Sequence, residues 1–275
     1  MPNKQNKTVL ITGASSGIGL ETAKIFQNNG WNVVATMRKP EKDNQLLNLP
    51  NVLCLPLDVT AQETIQKAID SGIAQYGAID VLVNNAGYAL VGAFEACSSE
   101  EIERQFATNV FGLMAVTRAI LPHFRERRQG IIVNIASIGG KMAFPLYSPY
   151  HATKWAVEGF SESLQYELKP FNIKIKIIEP GPIKTDFYSR SMAVAQKSEL
   201  TDYDSYVASV LPQLQNSEVG SPPLVTAQII YRAVCDGSWK LRYPAGGNAW
   251  LVLALRKLLP DGLFQQIIKS GIERN

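Results

Sequence analysis

The feature that most constrains the fold is an alternation that runs from Thr8 to about residue 180. Short apolar runs, rich in β-branched residues, alternate with longer stretches of helical periodicity. The runs at 8–12 (TVLIT), 32–36 (NVVAT), 52–57 (VLCLPL), 79–84 (IDVLVN), 131–136 (IIVNIA) and 173–178 (IKIKII) read as strands. The first, fourth and fifth are almost wholly apolar, as strands buried on both faces are. The sixth alternates, which places it nearer an edge. Helices are predicted to start near Gly17, Ala61, Ser99 and Pro149. Two starts carry capping-box patterns, Thr60 with Glu63 and Ser98 with Glu101, and Ser148-Pro149 reads as an N-cap followed by the first helical position. Strand–helix alternation of this kind demands parallel strands joined by right-handed crossovers: a doubly wound α/β sheet of Rossmann type in a single domain. After Pro180 the pattern changes to a polar stretch, a helix near 223–235 and an amphipathic tail, an elaborated C-terminal portion.

Composition narrows the function classes. With 46% hydrophobic and 19% charged residues in 275, the chain has enough apolar material for a sizeable core, which excludes a disordered, collagen-like or coiled-coil protein. A net charge of +3 is too small to argue for nucleic acid. No apolar run approaches the roughly 20 residues of a membrane span, and the opening MPNKQNK is not of signal-peptide type. The cysteines, Cys54, Cys97 and Cys235, are three in number and form no CxxC pair. That argues against zinc, any other metal and a disulfide framework, and the expected location is cytoplasmic.

The first strand runs into Thr12-Gly13-Ala14-Ser15-Ser16-Gly17-Ile18-Gly19 and then a helix. The spacing is GxxxGxG, differing from the GxGxxG dinucleotide fingerprint, yet the physics is shared. Glycine permits the tight turn and the approach of the backbone to a pyrophosphate, and the helix N-terminus faces the anion with unpaired N–H groups. The absence of a GK[ST] ending argues against a P-loop. At the end of the second strand, where NAD sites place a carboxylate, the chain reads Ala35-Thr36-Met37-Arg38-Lys39. Arg38 and Lys39 suit the 2′-phosphate of NADP, with a solvated loop tip as the other reading. Asp58, with Val59 after it, either accepts from the adenine amino group or simply ends its loop.

Asn84-Asn85-Ala86-Gly87 follows the fourth strand, where small residues let a ribose lie against the backbone. Ser137 ends the fifth strand on the same sheet edge. Tyr150 and Lys154, at i and i+4 near a helix start, project from one helix face. A tyrosine hydroxyl normally titrates near 10, and a neighbouring ammonium favours the phenolate. Tyr150 can then act as general acid/base on an alkoxide or alcohol, with Ser137 orienting the substrate oxygen.

In their order along the chain, TGASSGIG (12–19), LDVT (57–60), NNAG (84–87), Asn109 in TNVFG, Ser137 in NIASIGG, YHATK (150–154) and PGPIKT (180–185) resemble the short-chain dehydrogenase/reductase family. ATMR at 35–38 with the long tail is similar to its hydroxysteroid and retinol dehydrogenase branch. The resemblance implies a tetrad of Asn109, Ser137, Tyr150 and Lys154. In it, Lys154 also binds the nicotinamide ribose and Asn109 anchors a water in a proton relay. It implies too that Pro180, Gly181, Ile183 and Thr185 close over the nicotinamide. The expected activity is NADP(H)-dependent interconversion of a carbonyl and an alcohol on an apolar small molecule, by a homo-oligomer, dimer or tetramer. The competing readings are an NAD-dependent alcohol dehydrogenase of the family and a dinucleotide-sensing regulator on the same fold. On this reading residues 8–186 carry cofactor and catalysis, and 187–275 supply a substrate loop, a last strand and C-terminal helices.

Several residues are expected to do less. His151 points about 100° away from the tyrosine face, and His123 and the RERRQ segment (125–129) read as a solvated helix end. Met142, Phe144 and Tyr147 either line the substrate cleft or pack their loop. The apolar segment 250–259 covers the cleft or a partner subunit, with a peripheral membrane contact as the weaker reading.

Overall fold

Nine strands and nine helices longer than a single turn build the described part of the chain in a computed structural model, which covers residues 6–41, 45–184, 192–195, 197, 199–214 and 220–272. Seven strands make one parallel sheet: β1 (Thr8–Thr12), β2 (Asn32–Met37), β3 (Val52–Pro56), β4 (Val81–Asn84), β6 (Gly130–Ile135), β7 (Ile173–Pro180) and β9 (Arg242–Ala245). Their spatial order is 3-2-1-4-6-7-9. Strand order therefore reverses at β1, which pairs with β2 on one side and β4 on the other. Ligands of doubly wound sheets bind at the carboxyl ends beside such a reversal. A separate two-stranded parallel pair, β5 (Ala89–Val91) with β8 (Met192–Val194), stands beside that edge.

Both faces of the large sheet are covered, which is why its central strands are apolar on both sides. On one face α1 (Gly17–Asn28) and α7 (Pro223–Cys235) pack Phe26, Ile230 and Ala233 against Val9, Ile11 and Val33. On the other, α2 (Gln62–Tyr76), α4 (Leu113–Arg127) and α5 (Ser148–Leu168) bring Ile69, Phe124 and Leu164 onto Leu10, Leu82 and Ile132. Each fully buried side chain of this size contributes about 1.5–3 kcal/mol over its exposed state. The remaining helices are α3 (Ser99–Phe106), α6 (Asp204–Leu214), α8 (Ala249–Leu258) and α9 (Asp261–Ile272). No helix among the described residues is long and apolar enough to cross a membrane.

Local expectations divide at the helix starts. The Ser98–Glu101 capping box forms in both directions. The Thr60–Glu63 box does not, because the Thr60 hydroxyl is committed to the Asp58 carboxylate (2.7 Å) and Ala61 takes the N-cap. Tyr147, one residue earlier than expected, caps α5, with Ser148 already helical. The sixth predicted strand has a neighbour on each side, and the edge beyond it is β9. Its alternation reflects Lys176, which is buried against Asp236, Ser238 and Tyr243. His123 is half-buried: its Nε2 accepts from the Ile79 N–H (3.1 Å), while Arg127 pairs with Asp80 (2.7 Å).

Candidate active site

The carboxyl ends of β1, β2, β4, β6 and β7 open on a cleft of about 980 Å³. At its dinucleotide end, Gly13 and Gly17 take positive φ, +67° and +54°. The turn is stitched to β4 from both directions. The Thr12 hydroxyl accepts from the N–H groups of Asn85 (3.0 Å) and Ala86 (3.1 Å), and the Asn85 side chain donates to the carbonyls of Thr12 (3.0 Å) and Gly13 (2.9 Å). Gly19 is held inside this knot, since a Cβ there would lie 2.3 Å from the Gly13 oxygen. Gly13, Ser15, Ser16, Gly17 and Ile18 line the cleft itself. Ser16, at the N-cap of α1, makes no side-chain cap bond, and the first turn carries no acid. Its N–H groups and positive dipole end suit a pyrophosphate. A dinucleotide therefore fits the residues present.

Beyond the turn, Met37 is buried and Arg38 exposed, and both line the cleft. Lys39 is exposed and lies outside the lining, because the chain turns away after Arg38. Asp58 and Val59 line the opposite wall. Burial pushes the Asp58 carboxyl up, but hydrogen bonds from the Thr60 N–H (2.9 Å) and hydroxyl, with the charge of Arg38, hold it below its ordinary value.

The catalytic candidates converge on the other half of the cleft. Tyr150 and Lys154 share one face of α5, with the Lys154 Nζ 5.7 Å from the centre of the Tyr150 ring. Lys154 is buried and donates to the Ile135 carbonyl at 2.8 Å. Burial lowers its ammonium to about 8, against the opposing charge of Glu158. Ser137 caps the short turn Ile138–Gly140, its hydroxyl accepting from the Gly139 N–H at 3.0 Å. Tyr150, Lys154, Ser137, Ala86 and Gly87 all line the cleft.

Asn109 stands behind them in a π-helical turn, Ala107–Gly112, between α3 and α4. Such turns re-aim one side chain out of the helical register. The Asn109 amide donates to the Tyr88 carbonyl (2.8 Å) and the Thr153 hydroxyl (3.1 Å), and its oxygen accepts from the Tyr88 N–H (3.0 Å). A Cβ on Gly87 would sit 3.1 Å from the Asn109 oxygen and 3.9 Å from the Lys154 Nζ. Gly87 thus leaves room for both. Pro180, Gly181 and Ile183 line the far wall, and Thr185 lies outside the described residues.

Of the three residues before Tyr150, Phe144 and Tyr147 line the cleft, whereas Met142 packs with Ile138, Ala249 and Phe264. Sequence reasoning missed the short strands β5 and β8, which bring Leu90, Met192 and Ala193 to the substrate side, and missed Glu101 and Arg104 from α3. The three-residue strands carry no periodic signal. His151, expected to do little, is buried and bonded through both ring nitrogens.

A family model described as short chain dehydrogenase matches residues 7–194. The uncharacterized oxidoreductase YusZ of Bacillus subtilis is 38% identical over 97% of this chain and 98% of its own length. Retinol dehydrogenase 8 of Bos taurus is 35% identical over 93% of this chain and 86% of its own. Among solved structures, a short-chain dehydrogenase from Streptomyces avermitilis superposes with a TM-score of 0.84 at 35% identity, covering 98% of this chain and 97% of that one. ElxO with NADP bound gives 0.72 at 29% identity, covering 90% and 99%. The chain belongs to the short-chain dehydrogenase/reductase family. It is an oxidoreductase on a fold that binds a nicotinamide dinucleotide and acts on small molecules.

Proposed function

We propose that the protein is an NADP(H)-dependent oxidoreductase interconverting a carbonyl and an alcohol on an apolar small molecule. The observation that carries this is the meeting of Tyr150, Lys154 and Ser137 in the same cleft as the glycine turn. Bound there, the dinucleotide supplies or accepts a hydride. The Tyr150 hydroxyl gives or takes the proton at the substrate oxygen, and the Lys154 ammonium favours its phenolate. Ser137 holds that oxygen in place. Asn109 keeps the floor behind Lys154 in register and, as in the family, anchors a water of the proton relay.

The residues holding the dinucleotide are Gly13, Ser15, Ser16, Gly17 and Ile18 at the pyrophosphate, with Gly19 and Asn85 shaping that turn. Asp58 and Val59 serve the adenine, Ala86, Gly87, Tyr150 and Lys154 the riboses, and Pro180, Gly181, Ile183 and Thr185 the nicotinamide. NADP preference rests on Arg38 at the cleft, with Met37 where a carboxylate would select NAD, and is supported by the NADP carried by ElxO. Leu90, Phe144, Tyr147, Met192 and Leu214 make the substrate wall largely apolar. Residues 8–186 carry cofactor and catalysis, and the rest shapes the cleft. Exposed Trp155 and Tyr166 on one face of α5, and the exposed Phe111, support a homo-oligomer. The widely spaced cysteines support a cytoplasmic location.

A panel of ketones, aldehydes, steroids and retinoids with NADPH and NADH tests the reading. NADPH-dependent turnover is expected, and Tyr150→Phe should bind NADPH normally while losing on the order of 10²–10⁴ in kcat. Substantial turnover by Tyr150→Phe, or a wild-type protein that binds NADPH and turns over nothing on the panel, overturns it; the second outcome favours a dinucleotide sensor.

A further inference from the structure

His151, adjacent to Tyr150 in sequence, borders the same cleft, yet it is 6% exposed and bonded on both sides of its ring. Nδ1 lies 2.9 Å from the Gly139 carbonyl, and Nε2 lies 2.8 Å from the Phe144 N–H. The Phe144 N–H can only donate, so Nε2 must be unprotonated. The Gly139 carbonyl can only accept, so Nδ1 must carry the hydrogen. One neutral tautomer satisfies both bonds, and a second proton on the ring would break the bond to Phe144. Burial favours that neutral form and holds the imidazole down to about 4, against the pull of the Gly139 carbonyl.

The two bonds close a loop of chain that carries substrate-facing groups. Gly139 donates to the Ser137 hydroxyl, and Phe144 and Tyr147 line the cleft. The three aromatic rings around the imidazole, Phe144, Tyr147 and Tyr150, have centroids 5.7–5.9 Å from it. Gly139 is part of the same fit, because a Cβ there would lie 2.5 Å from Nδ1. Both partners of the ring are backbone groups. Substitution of other side chains cannot replace the clamp.

We propose that His151 is a positioning residue: it clamps segment 139–144 and thereby sets the Ser137 hydroxyl and the Phe144–Tyr147 wall against the substrate. The inference rests on the reaction proposed above. His151→Leu fills much of the space but orphans both backbone groups, whereas His151→Gln offers one donor and one acceptor on a planar head. Misplacement of the substrate-orienting groups should cost His151→Leu on the order of 10²-fold in kcat/KM for a carbonyl substrate. Its NADPH affinity should stay within about two-fold, since the pyrophosphate turn lies elsewhere. His151→Gln should recover most of the loss. Gly139→Ala, which leaves the histidine in place but pushes on its ring, should behave like His151→Leu.

The clamp also has a readout that needs no turnover. The sequence holds two histidines, so side-chain ¹⁵N spectra of the NADPH-bound protein resolve His151 by comparison with His151→Gln. A neutral Nδ1–H tautomer is expected from about pH 5 to 8, where an ordinary histidine titrates. A neutral Nε2–H tautomer, an imidazole titrating near 6.5, near-normal kcat/KM in His151→Leu, or a Gln variant no better than Leu each overturns the clamp. If instead Tyr150→Phe proves active, the reaction assignment fails while the ¹⁵N spectra still judge the clamp.

Discussion

Two lysines are buried among the described residues, and folding uses them differently. Lys176, 1% exposed on β7, spreads its ammonium over the Ser238 carbonyl (2.7 Å), the Tyr243 hydroxyl (2.9 Å), the Ser238 hydroxyl and the Asp236 carboxylate (3.3 Å each). Burial pushes the Asp236 carboxyl up, but donors from Tyr243 and Ser238 and the Lys176 charge outweigh it, holding the group at about 2. Lys154, 8% exposed on α5, makes one hydrogen bond among the described residues, to Ile135, and faces the cleft. An ammonium has three donors. Folding consumes those of Lys176 in joining β7 to the segment before β9, and leaves most of those of Lys154 for what enters the cleft. Donor capacity left over after folding, more than burial, separates a lysine spent on structure from one available for the proposed chemistry.

The largest expected effect tests the second half of that statement. Lys154→Met should lower kcat by about 10³ while leaving the unfolding midpoint near wild type, because one backbone carbonyl, that of Ile135, is what the variant orphans among the described residues. The pH profile follows from the lowered ammonium. Lys154 is charged below about 8 and neutral above it, so reduction should fall as pH rises through that value. Lys154→Arg, if active, should move this limb upward, since a guanidinium keeps its proton there. A limb that stays put in the arginine variant would dissociate it from Lys154.

The first half predicts the reverse pattern at Lys176. Lys176→Met removes the ammonium from the Ser238 carbonyl, the Asp236 carboxylate and the Tyr243 and Ser238 hydroxyls, of which the last three keep their bonds to one another, at a cost of about 2 kcal/mol read by urea unfolding, with kcat unchanged. A carboxyl held at about 2 instead of its ordinary 3.8 contributes stability above 3.8 that is lost as pH falls toward 2. Removing Lys176 weakens that hold, so the variant should lose less stability than wild type across this acid window. Loss of turnover in Lys176→Met at retained stability would erase the distinction between the two lysines.

What the sequence made legible follows the same division. The central strands and the glycine turn could be read because period, β-branching and glycine spacing are local properties. Tyr150 and Lys154 could be read because i and i+4 share a helix face. β9 could be expected only as a last strand somewhere in 187–275 and could not be placed: Arg242–Ala245 contains arginine and proline, and becomes a strand only by pairing with β7. The buried Lys176 misdirected the reading of β7 for a related reason, its partners lying sixty or more residues away. Asn109 reads as a polar residue inside a helix, because a π-helical turn leaves no mark on the hydrophobic period. His151 is the same case at closer range, since both its partners are backbone atoms and carry no residue identity.

A third cation marks the far end of the scale. Arg38 lines the cleft but is exposed, and its influence on Asp58 reaches through solvent-facing space. Among the described residues it has neither the bonded partners of Lys176 nor the low-dielectric setting of Lys154, so its contribution should be the smallest of the three. A charge-assisted hydrogen bond to a phosphate contributes about 1.5–3 kcal/mol at most, and exposure reduces it through screening. Arg38→Ala should therefore lower kcat/KM with NADPH by about ten-fold and leave the value with NADH nearly unchanged. The NADPH effect should shrink as salt rises from about 0.01 M to 1 M, over which the Debye length falls from about 30 Å to 3 Å. The effect of Lys154→Met should not shrink, because its site is shielded from ions. Steady-state kinetics with both cofactors at two salt concentrations measures both dependences together. An Arg38→Ala effect that is equal for NADPH and NADH would place the arginine outside phosphate recognition, and one that ignores salt would mean the 2′-end of the site is buried when the dinucleotide is bound.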